Sequence, residues 1–253
     1  MNKLLLSFLG LTLSTTTFAK DWKEIRFGVE GAYPPFSWTA SDGSIQGFDV
    51  DLAYAICEEM EVKCRFVPQD WDGMIPALMS RKYDAIIAAM SITEERKKKI
   101  DFTDKYAQIP NKFAVKKGAS INFDTLKGVK IGVLRAATHD KYVTDNYPDA
   151  KVVRYGSLDD AYIDLKAGRV QAVLGDASAI EGGLLNKEGG ENYQYAGPSL
   201  TDARWFGEGM GIALRKQDRE LKQKINKALA ALRENGQYEN IASKYFAYDI
   251  YGD

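Results

Sequence analysis

Histidine and cysteine are scarce in this sequence. Its 253 residues include one histidine, His139, and two cysteines, Cys57 and Cys64. A site built from several histidines is therefore excluded, and a Cys/His zinc site would need all three residues together. We expect neither a metal nor a cofactor.

An excess of either charge is also missing, because 34 Lys and Arg face 35 Asp and Glu, for a net charge of -1. This balance argues against nucleic acid or an anionic membrane surface as the main partner. Hydrophobic residues make up 45% and charged residues 27%, which excludes disordered and low-complexity classes of protein.

Long hydrophobic runs are missing beyond one near the N-terminus. Residues 4–13 are apolar, follow Lys3 and precede the polar segment 14–19, which is the layout of a secretory signal peptide. As a membrane anchor, this run would span only about 15 Å of a hydrocarbon core of about 30 Å. We predict export with cleavage after Ala19, which removes residues 1–19, and a soluble mature protein.

Export favours a disulfide between the two cysteines, since disulfides form and persist in oxidising compartments. Cys57 lies in a helical pattern and Cys64 in the strand pattern that follows. A helix–turn–strand unit can bring such residues within bridging distance, so we predict a Cys57–Cys64 disulfide. Two buried free thiols are the alternative.

Strand and helix patterns alternate along the chain, which predicts an α/β fold with largely parallel sheets. Strands are predicted at 25–29, 62–66, 85–90, 130–134, 152–155 and 170–174, helices at 51–60, 75–79, 139–146, 158–167 and from Leu221 to a stop at Gly236, and a loop at 182–190. The pattern restarts near Lys112, which indicates a second lobe.

Ligands of open α/β sheets bind beyond the carboxyl ends of strands. Here those places are 30–37, 88–96, 134–139 and 175–176. No segment carries a nucleotide-binding fingerprint or a G-x-S-x-G nucleophile elbow.

These segments carry a recognisable series of motifs. They are 30–37 (EGAYPPFS), 47–52 (GFDVDL), 84–96 (DAIIAAMSITEER), 132–138 (GVLRAAT), 168–176 (GRVQAVLGD), 206–211 (FGEGMG) and 244–253 (KYFAYDIYGD). With them the chain resembles the periplasmic amino-acid-binding proteins of ABC importers (solute-binding protein family 3), in particular the lysine/arginine/ornithine- and histidine-binding branch. The cysteine pair resembles the disulfide of that branch.

The resemblance implies a two-lobed periplasmic binding protein (Venus-flytrap) fold of type II with two hinge strands. Lobe 1 would comprise 20–107 and 210–253, and lobe 2 would comprise 112–200. The hinges would be 108–111 and 201–209, and ligand would stabilise the closed form.

The resemblance also implies how the two charges of an amino acid are held. Arg96 would bind the α-carboxylate, helped by the backbone N–H of Thr138 at a helix start. Asp176 would bind the α-ammonium, helped by the Ser91 hydroxyl. Taken alone, Arg96 fits a solvated helix face (EERKKK) and Asp176 fits a helix cap.

For the ligand side chain, the resemblance implies an aromatic sandwich of Tyr33 and Trp71. Glu30 would face a distal cation, which is the main argument for a basic ligand. Without the resemblance, core packing would explain Trp71 and a surface carboxylate would explain Glu30.

Some positions depart from the branch. Ala88 and Ala89 replace common serines, which leaves only their carbonyls as acceptors. Ala137 also lacks a hydroxyl, and His139 replaces a familiar Gln and would reach the distal end of the ligand. Leu134 completes the predicted binding set. Because the Ala-Ala-Met form also occurs in opine-binding relatives, a larger arginine derivative stays open.

We therefore expect a periplasmic receptor for a cationic L-amino acid, with arginine favoured over ornithine, lysine and histidine. It would be monomeric, deliver ligand to a membrane ABC permease and perform no chemistry. The alternatives are a cyclohexadienyl-dehydratase-like enzyme on the same fold, with Glu30 as formal acid/base, and a ligand sensor for a signalling partner.

Overall fold

The computed structural model describes residues 22–252. The predicted signal peptide and its cleavage after Ala19 lie outside this range. Between Trp22 and Gly252, no helix combines the length and the apolar character that crossing a membrane requires.

Strands supply the framework of the molecule. In chain order they are β1 (Glu24–Val29), β2 (Ala32–Tyr33), β3 (Ser37–Thr39), β4 (Ile45–Gln46), β5 (Lys63–Pro68), β6 (Ala85–Ile86), β7 (Asp101–Ala107), β8 (Asn111–Lys116), β9 (Lys130–Leu134), β10 (Lys151–Tyr155), β11 (Ala172–Asp176), β12 (Tyr193–Leu200) and β13 (Met210–Leu214).

Helices cover the strands. They are α1 (Phe48–Glu59), α2 (Met74–Met79), α3 (Glu94–Lys97), α4 (Thr138–Asn146), α5 (Leu158–Lys166), α6 (Ala177–Ile180), α7 (Ala203–Phe206), α8 (Arg219–Glu234) and α9 (Gln237–Ala242). Short 3₁₀ turns lie at Trp71–Gly73 and Gly190–Asn192, and a π-helical turn lies at Glu181–Leu185.

Two five-stranded sheets confirm the α/β prediction. Their strand orders are β5-β1-β6-β13-β7 and β10-β9-β11-β8-β12, beside a small β2-β3-β4 sheet. The sheets are mixed rather than largely parallel, since β13 and β8 run antiparallel to both of their neighbours. Each is the first strand after the chain changes sheet, so it enters from the opposite side.

The chain passes between the two sheets twice. The first sheet takes its strands from 24–107 and 210–214, and the second from 111–200. Asn111, placed in a hinge by the sequence analysis, already pairs within β8, and the second crossing contains α7. The exact lobe bounds stay a prediction.

Helix signals in the sequence agree well with the structure. The apolar face of α8 is buried in the core against the first sheet, through Leu221, Ile225, Leu229 and Leu232. Ser157 caps α5, because its hydroxyl accepts the N–H of Asp160 at 3.2 Å.

Two segments differ from their predictions. Only Ala85–Ile86 of the apolar run forms a strand, because the chain then bends through Ala89 at a φ of 47°. The loop predicted at 182–190 overlaps the π-helical turn and runs up to the start of the second 3₁₀ turn at Gly190. Glycine permits this packing, since a Cβ at Gly183 would lie 2.6 Å from the Tyr162 ring.

The cysteine prediction is confirmed. Cys57 on α1 and Cys64 on β5 form a disulfide with their Cα atoms 5.8 Å apart. The bridge joins the helix to the edge strand of the first sheet.

Candidate functional site

A cavity lies between the lobes. It lies at the carboxyl ends of strands from both sheets, as expected for an α/β fold. All eleven predicted site residues line it together with Ala137: Glu30, Tyr33, Trp71, Ala88, Ala89, Ser91, Arg96, Leu134, Thr138, His139 and Asp176. Their role in binding stays a prediction.

Arg96 turns into this cavity instead of following the solvated side of its charge run. The Thr93 hydroxyl caps α3 by accepting the Arg96 backbone N–H at 3.3 Å. The guanidinium donates through Nη1 to the Ser91 carbonyl at 2.9 Å and lies 5.1 Å from the centre of the Trp71 ring. Burial lowers the pKa of Arg96 to about 10, so the side chain stays cationic at neutral pH.

Asp176 ends β11 as a buried carboxylate. Its Oδ2 accepts a hydrogen bond from the Tyr33 hydroxyl at 2.5 Å, a contact between the lobes. Burial raises its pKa to about 6, against the lowering effects of Tyr33 and Arg96, so the anion dominates at neutral pH. Asp176 occupies the N-cap position of α6, as the helix-cap alternative expected, but its side chain makes no cap hydrogen bond to that helix.

Glu30 follows β1 and carries the least satisfied carboxyl group of the cavity wall. Its Oε1 is buried and has no hydrogen-bond partner among residues 22–252. Burial raises the pKa of Glu30 to about 8, and the negative charges of Asp159 and Asp70 add to this rise. Such a group favours a cation or a hydrogen-bond donor beside it.

The N-terminus of α4 reaches the cavity through Thr138, its first residue. The N–H groups of a first helical turn have no carbonyl one turn earlier to pair with, so they suit an anion. Thr138 and Arg96 thus offer hydrogen-bond donors from opposite lobes.

His139 lies elsewhere than expected. The sequence analysis placed it at the distal end of the ligand, but its Nε2 lies 3.9 Å from Asp176 Oδ1 and 2.6 Å from Asn111 Oδ1. The first turn of α4 directs the ring toward the segments where the chain crosses between the two sheets, and there it also packs against Phe206.

Asp49 is a supporting residue that the sequence analysis did not single out, although its motif was noted. Its Oδ2 accepts the Ala89 backbone N–H at 2.9 Å, and the Tyr106 hydroxyl lies 2.9 Å from the same nitrogen. Burial raises the pKa of Asp49 to about 7. This fully buried acid holds the bend that brings Ala88 and Ala89 to the cavity wall.

The structure shows the cleft closed. Besides the Tyr33–Asp176 hydrogen bond, Arg135 Nη1 of the second lobe lies 2.9 Å from Asp72 Oδ2 of the first. Gly182 lies against the Pro34 backbone, close enough that a Cβ would approach to 3.1 Å. Contacts between protein groups of the two lobes therefore stabilise the closed form around the cavity.

Neutralising Arg135 tests the outer ion pair. Because both side chains are about half exposed, we expect Arg135→Gln to weaken ligand affinity only about two- to fivefold, through faster release. Stopped-flow dissociation at low and high salt measures this, and salt should erase the difference. Lys224→Gln, which breaks the Lys224–Glu220 pair within α8, is the control and should leave release unchanged.

Comparisons with known proteins place this site in context. The family model of the bacterial extracellular solute-binding proteins, family 3, matches residues 25–248. The L-arginine-binding protein of Pseudomonas aeruginosa is 52% identical over 100% of this chain and 99% of its own length. The lysine/arginine/ornithine-binding periplasmic protein of Escherichia coli is 40% identical, covering 96% of this chain and 95% of its own.

A solved structure shares the whole architecture. A Salmonella typhimurium periplasmic binding protein, described for its high arginine specificity, superposes with a TM-score of 0.84 at 34% identity. The match covers 89% of this chain and 100% of that one. The predicted two-lobed fold is thereby confirmed.

Proposed function

Because this chain belongs to the bacterial extracellular solute-binding proteins, family 3, we propose that it is a periplasmic receptor for a cationic L-amino acid, with arginine favoured. Ornithine, lysine and histidine are its weaker ligands in this proposal. The observation that carries it is that one cavity is lined by Arg96, Asp176 and Glu30, and that Glu30 Oε1 has no hydrogen-bond partner in the described part of the chain. In this proposal Arg96 and Asp176 hold the α groups and Glu30 holds the distal cation.

The α groups of the ligand find opposite charges in the closed cavity. Arg96 offers a planar set of N–H donors to the carboxylate, and the Thr138 N–H adds a second donor. The Oδ1 of Asp176 accepts from the ammonium, with Ser91 beside it. Each charge needs its partner, because an unpaired charge in a closed site costs several kcal/mol.

The ligand side chain would extend between Tyr33 and Trp71 toward Glu30. Flat rings suit the aliphatic stem, and their faces attract a cation. A guanidinium or ammonium would supply the donor that Glu30 Oε1 lacks among residues 22–252. A neutral ligand would leave this carboxyl to be protonated, since its pKa lies near 8.

In this proposal the mature protein begins after cleavage at Ala19, works as a monomer and delivers ligand to an ABC permease. It performs no chemistry. Relatives named as arginine- and lysine/arginine/ornithine-binding proteins support this assignment over the dehydratase and sensor alternatives. Recovery of the ligand unchanged after long incubation, checked by mass spectrometry, tests the enzyme alternative.

A thermal-shift screen of stripped mature protein tests the function directly. Ligand at about 100 times its dissociation constant adds about 2.7 kcal/mol, which shifts Tm by about 5–10 °C for a chain of this size. We expect the largest shift with arginine and smaller shifts with ornithine, lysine and histidine. Citrulline and octopine are included as a neutral analogue and a larger derivative. Shifts confined to neutral or acidic amino acids would contradict a basic pocket.

A further inference from the structure

The Asp176 end of the cavity is built from buried polar groups, among them Asn111, which the proposed ligand contacts do not use. His139 is 4% exposed, Asn111 3% and Asp176 6%. Asn111 opens β8, directly after the first crossing, and sits opposite Asp176 in the neighbouring strand. The sheet register therefore fixes Asn111 beside the carboxylate.

Hydrogen bonding settles which atoms face each other. The Asn111 Nδ2 donates to the Leu200 carbonyl at 3.2 Å, so its Oδ1 faces His139 Nε2 at 2.6 Å. An amide oxygen only accepts, hence Nε2 carries the hydrogen. The ring is neutral, because burial beside Arg96 lowers the pKa of His139 to about 3.

The two oxygens of Asp176 are in different situations. Oδ2 accepts from the Tyr33 hydroxyl, whereas Oδ1 lies 3.9 Å from His139 Nε2, outside hydrogen-bond distance. Since a hydrogen bond needs about 2.7–3.2 Å between nitrogen and oxygen, Nε2 would have to move about 1 Å to donate to Oδ1. The bond to Asn111 prevents this by taking the same hydrogen.

We propose that Asn111 is a positioning residue that holds the His139 N–H away from Asp176 and so reserves Oδ1 for the α-ammonium of the ligand. This inference rests on the proposed function. Without Asn111, the imidazole donates to Oδ1 and lowers the negative charge that the ammonium meets. The resulting loss of affinity is specific to ligands that carry an α-ammonium.

The test compares L-arginine with its deamino analogue, 5-guanidinopentanoic acid, by titration calorimetry. For Asn111→Leu we expect arginine affinity to fall about tenfold, as for one weakened charge-assisted hydrogen bond. The deamino analogue leaves Asp176 without its partner and binds weakly even to the parent, so its affinity is measured by displacement of arginine at high analogue concentration, and it should change less than about twofold. Equal losses for both ligands would overturn the proposal, because they would indicate general damage to the lobe.

A double-mutant cycle isolates the His139 hydrogen. In the His139→Leu background no donor remains, so adding Asn111→Leu should weaken arginine binding less than about threefold. The same tenfold loss in both backgrounds would overturn the proposal. His139→Gln, whose amide can still donate to Asn111, should bind arginine nearly as the parent does. A parent protein that binds no arginine at all would instead refute the proposed function.

If Asn111→Leu does not fold, Asn111→Ala removes the same oxygen without adding volume. Thermal unfolding of each unliganded variant shows whether it is folded before any affinity is compared.

Discussion

Replacing Arg96 or Asp176 is expected to remove measurable arginine binding. Each substitution leaves one ligand charge buried without its partner, which costs about 3–5 kcal/mol and lowers affinity between about a hundredfold and a few thousandfold. We expect titration calorimetry of Arg96→Ala and Asp176→Asn to show no heat of binding at concentrations that saturate the parent protein.

The fold should survive both changes. Burial disfavours the charged form of each group, since it lowers the pKa of Arg96 and raises that of Asp176. The unliganded protein therefore keeps these charges at some expense of stability, and their removal should leave Tm unchanged or slightly higher. Asp176→Asn retains an oxygen that can accept from the Tyr33 hydroxyl.

Matched controls come from the same charge run. Lys98 is two residues from Arg96 but exposed, so Lys98→Ala should bind arginine as the parent does. Parent-like titration of Arg96→Ala or Asp176→Asn would contradict the assignment of the two subsites. Loss of binding together with loss of the thermal transition would point to unfolding instead, which the unliganded Tm identifies.

The predicted site segments meet in the structure because they rest on strong local signals. Each follows a strand whose apolar pattern is readable, and the carboxyl ends of neighbouring strands converge at one sheet edge. Arg96 and Asp176 therefore reach the same cavity from different lobes. The charge run around Arg96 looked solvated, yet its guanidinium turns inward to the Ser91 carbonyl while Lys98 and Lys99 stay exposed.

Other features depended on contacts that are distant in sequence. The bend at Ala89 needs a positive φ, which alanine rarely adopts, and it is held by Asp49 and Tyr106 from 40 and 17 residues away. The orientation of His139 likewise depends on Asn111, 28 residues earlier. No local pattern encodes such partners, so the sequence analysis missed both.

Glu30 should decide between charged and neutral ligands. Glu30→Gln leaves the distal cation of arginine without an anion in the closed cleft, so we expect arginine affinity to fall about a hundredfold at pH 8. Citrulline has nearly the shape of arginine but a neutral end group, and its affinity should stay within about threefold. Asp70→Asn, at an exposed acid whose charge acts on Glu30, should cause a much smaller loss for arginine.

The pH dependence of arginine binding tests the role of Glu30 independently. In the closed cleft without a cation, Glu30 has a pKa raised to about 8, so at neutral pH closure favours its protonated form. The guanidinium of arginine favours the carboxylate, hence binding expels a proton and affinity must rise with pH. For unliganded protein in the closed form that the structure shows, the slope approaches tenfold per pH unit below the raised pKa of Glu30 and vanishes above it.

Between pH 6 and 8 this slope belongs mainly to Glu30. The pKa of Asp176 is raised only to about 6, so its titration affects all amino-acid ligands at lower pH. We therefore expect arginine affinity to rise across this window in the parent, and to be flat in Glu30→Gln and for citrulline. If arginine affinity still rises with pH in Glu30→Gln, a group other than Glu30 is responsible for the pH dependence. Asp49 would then be the first candidate, because burial raises its pKa to about 7.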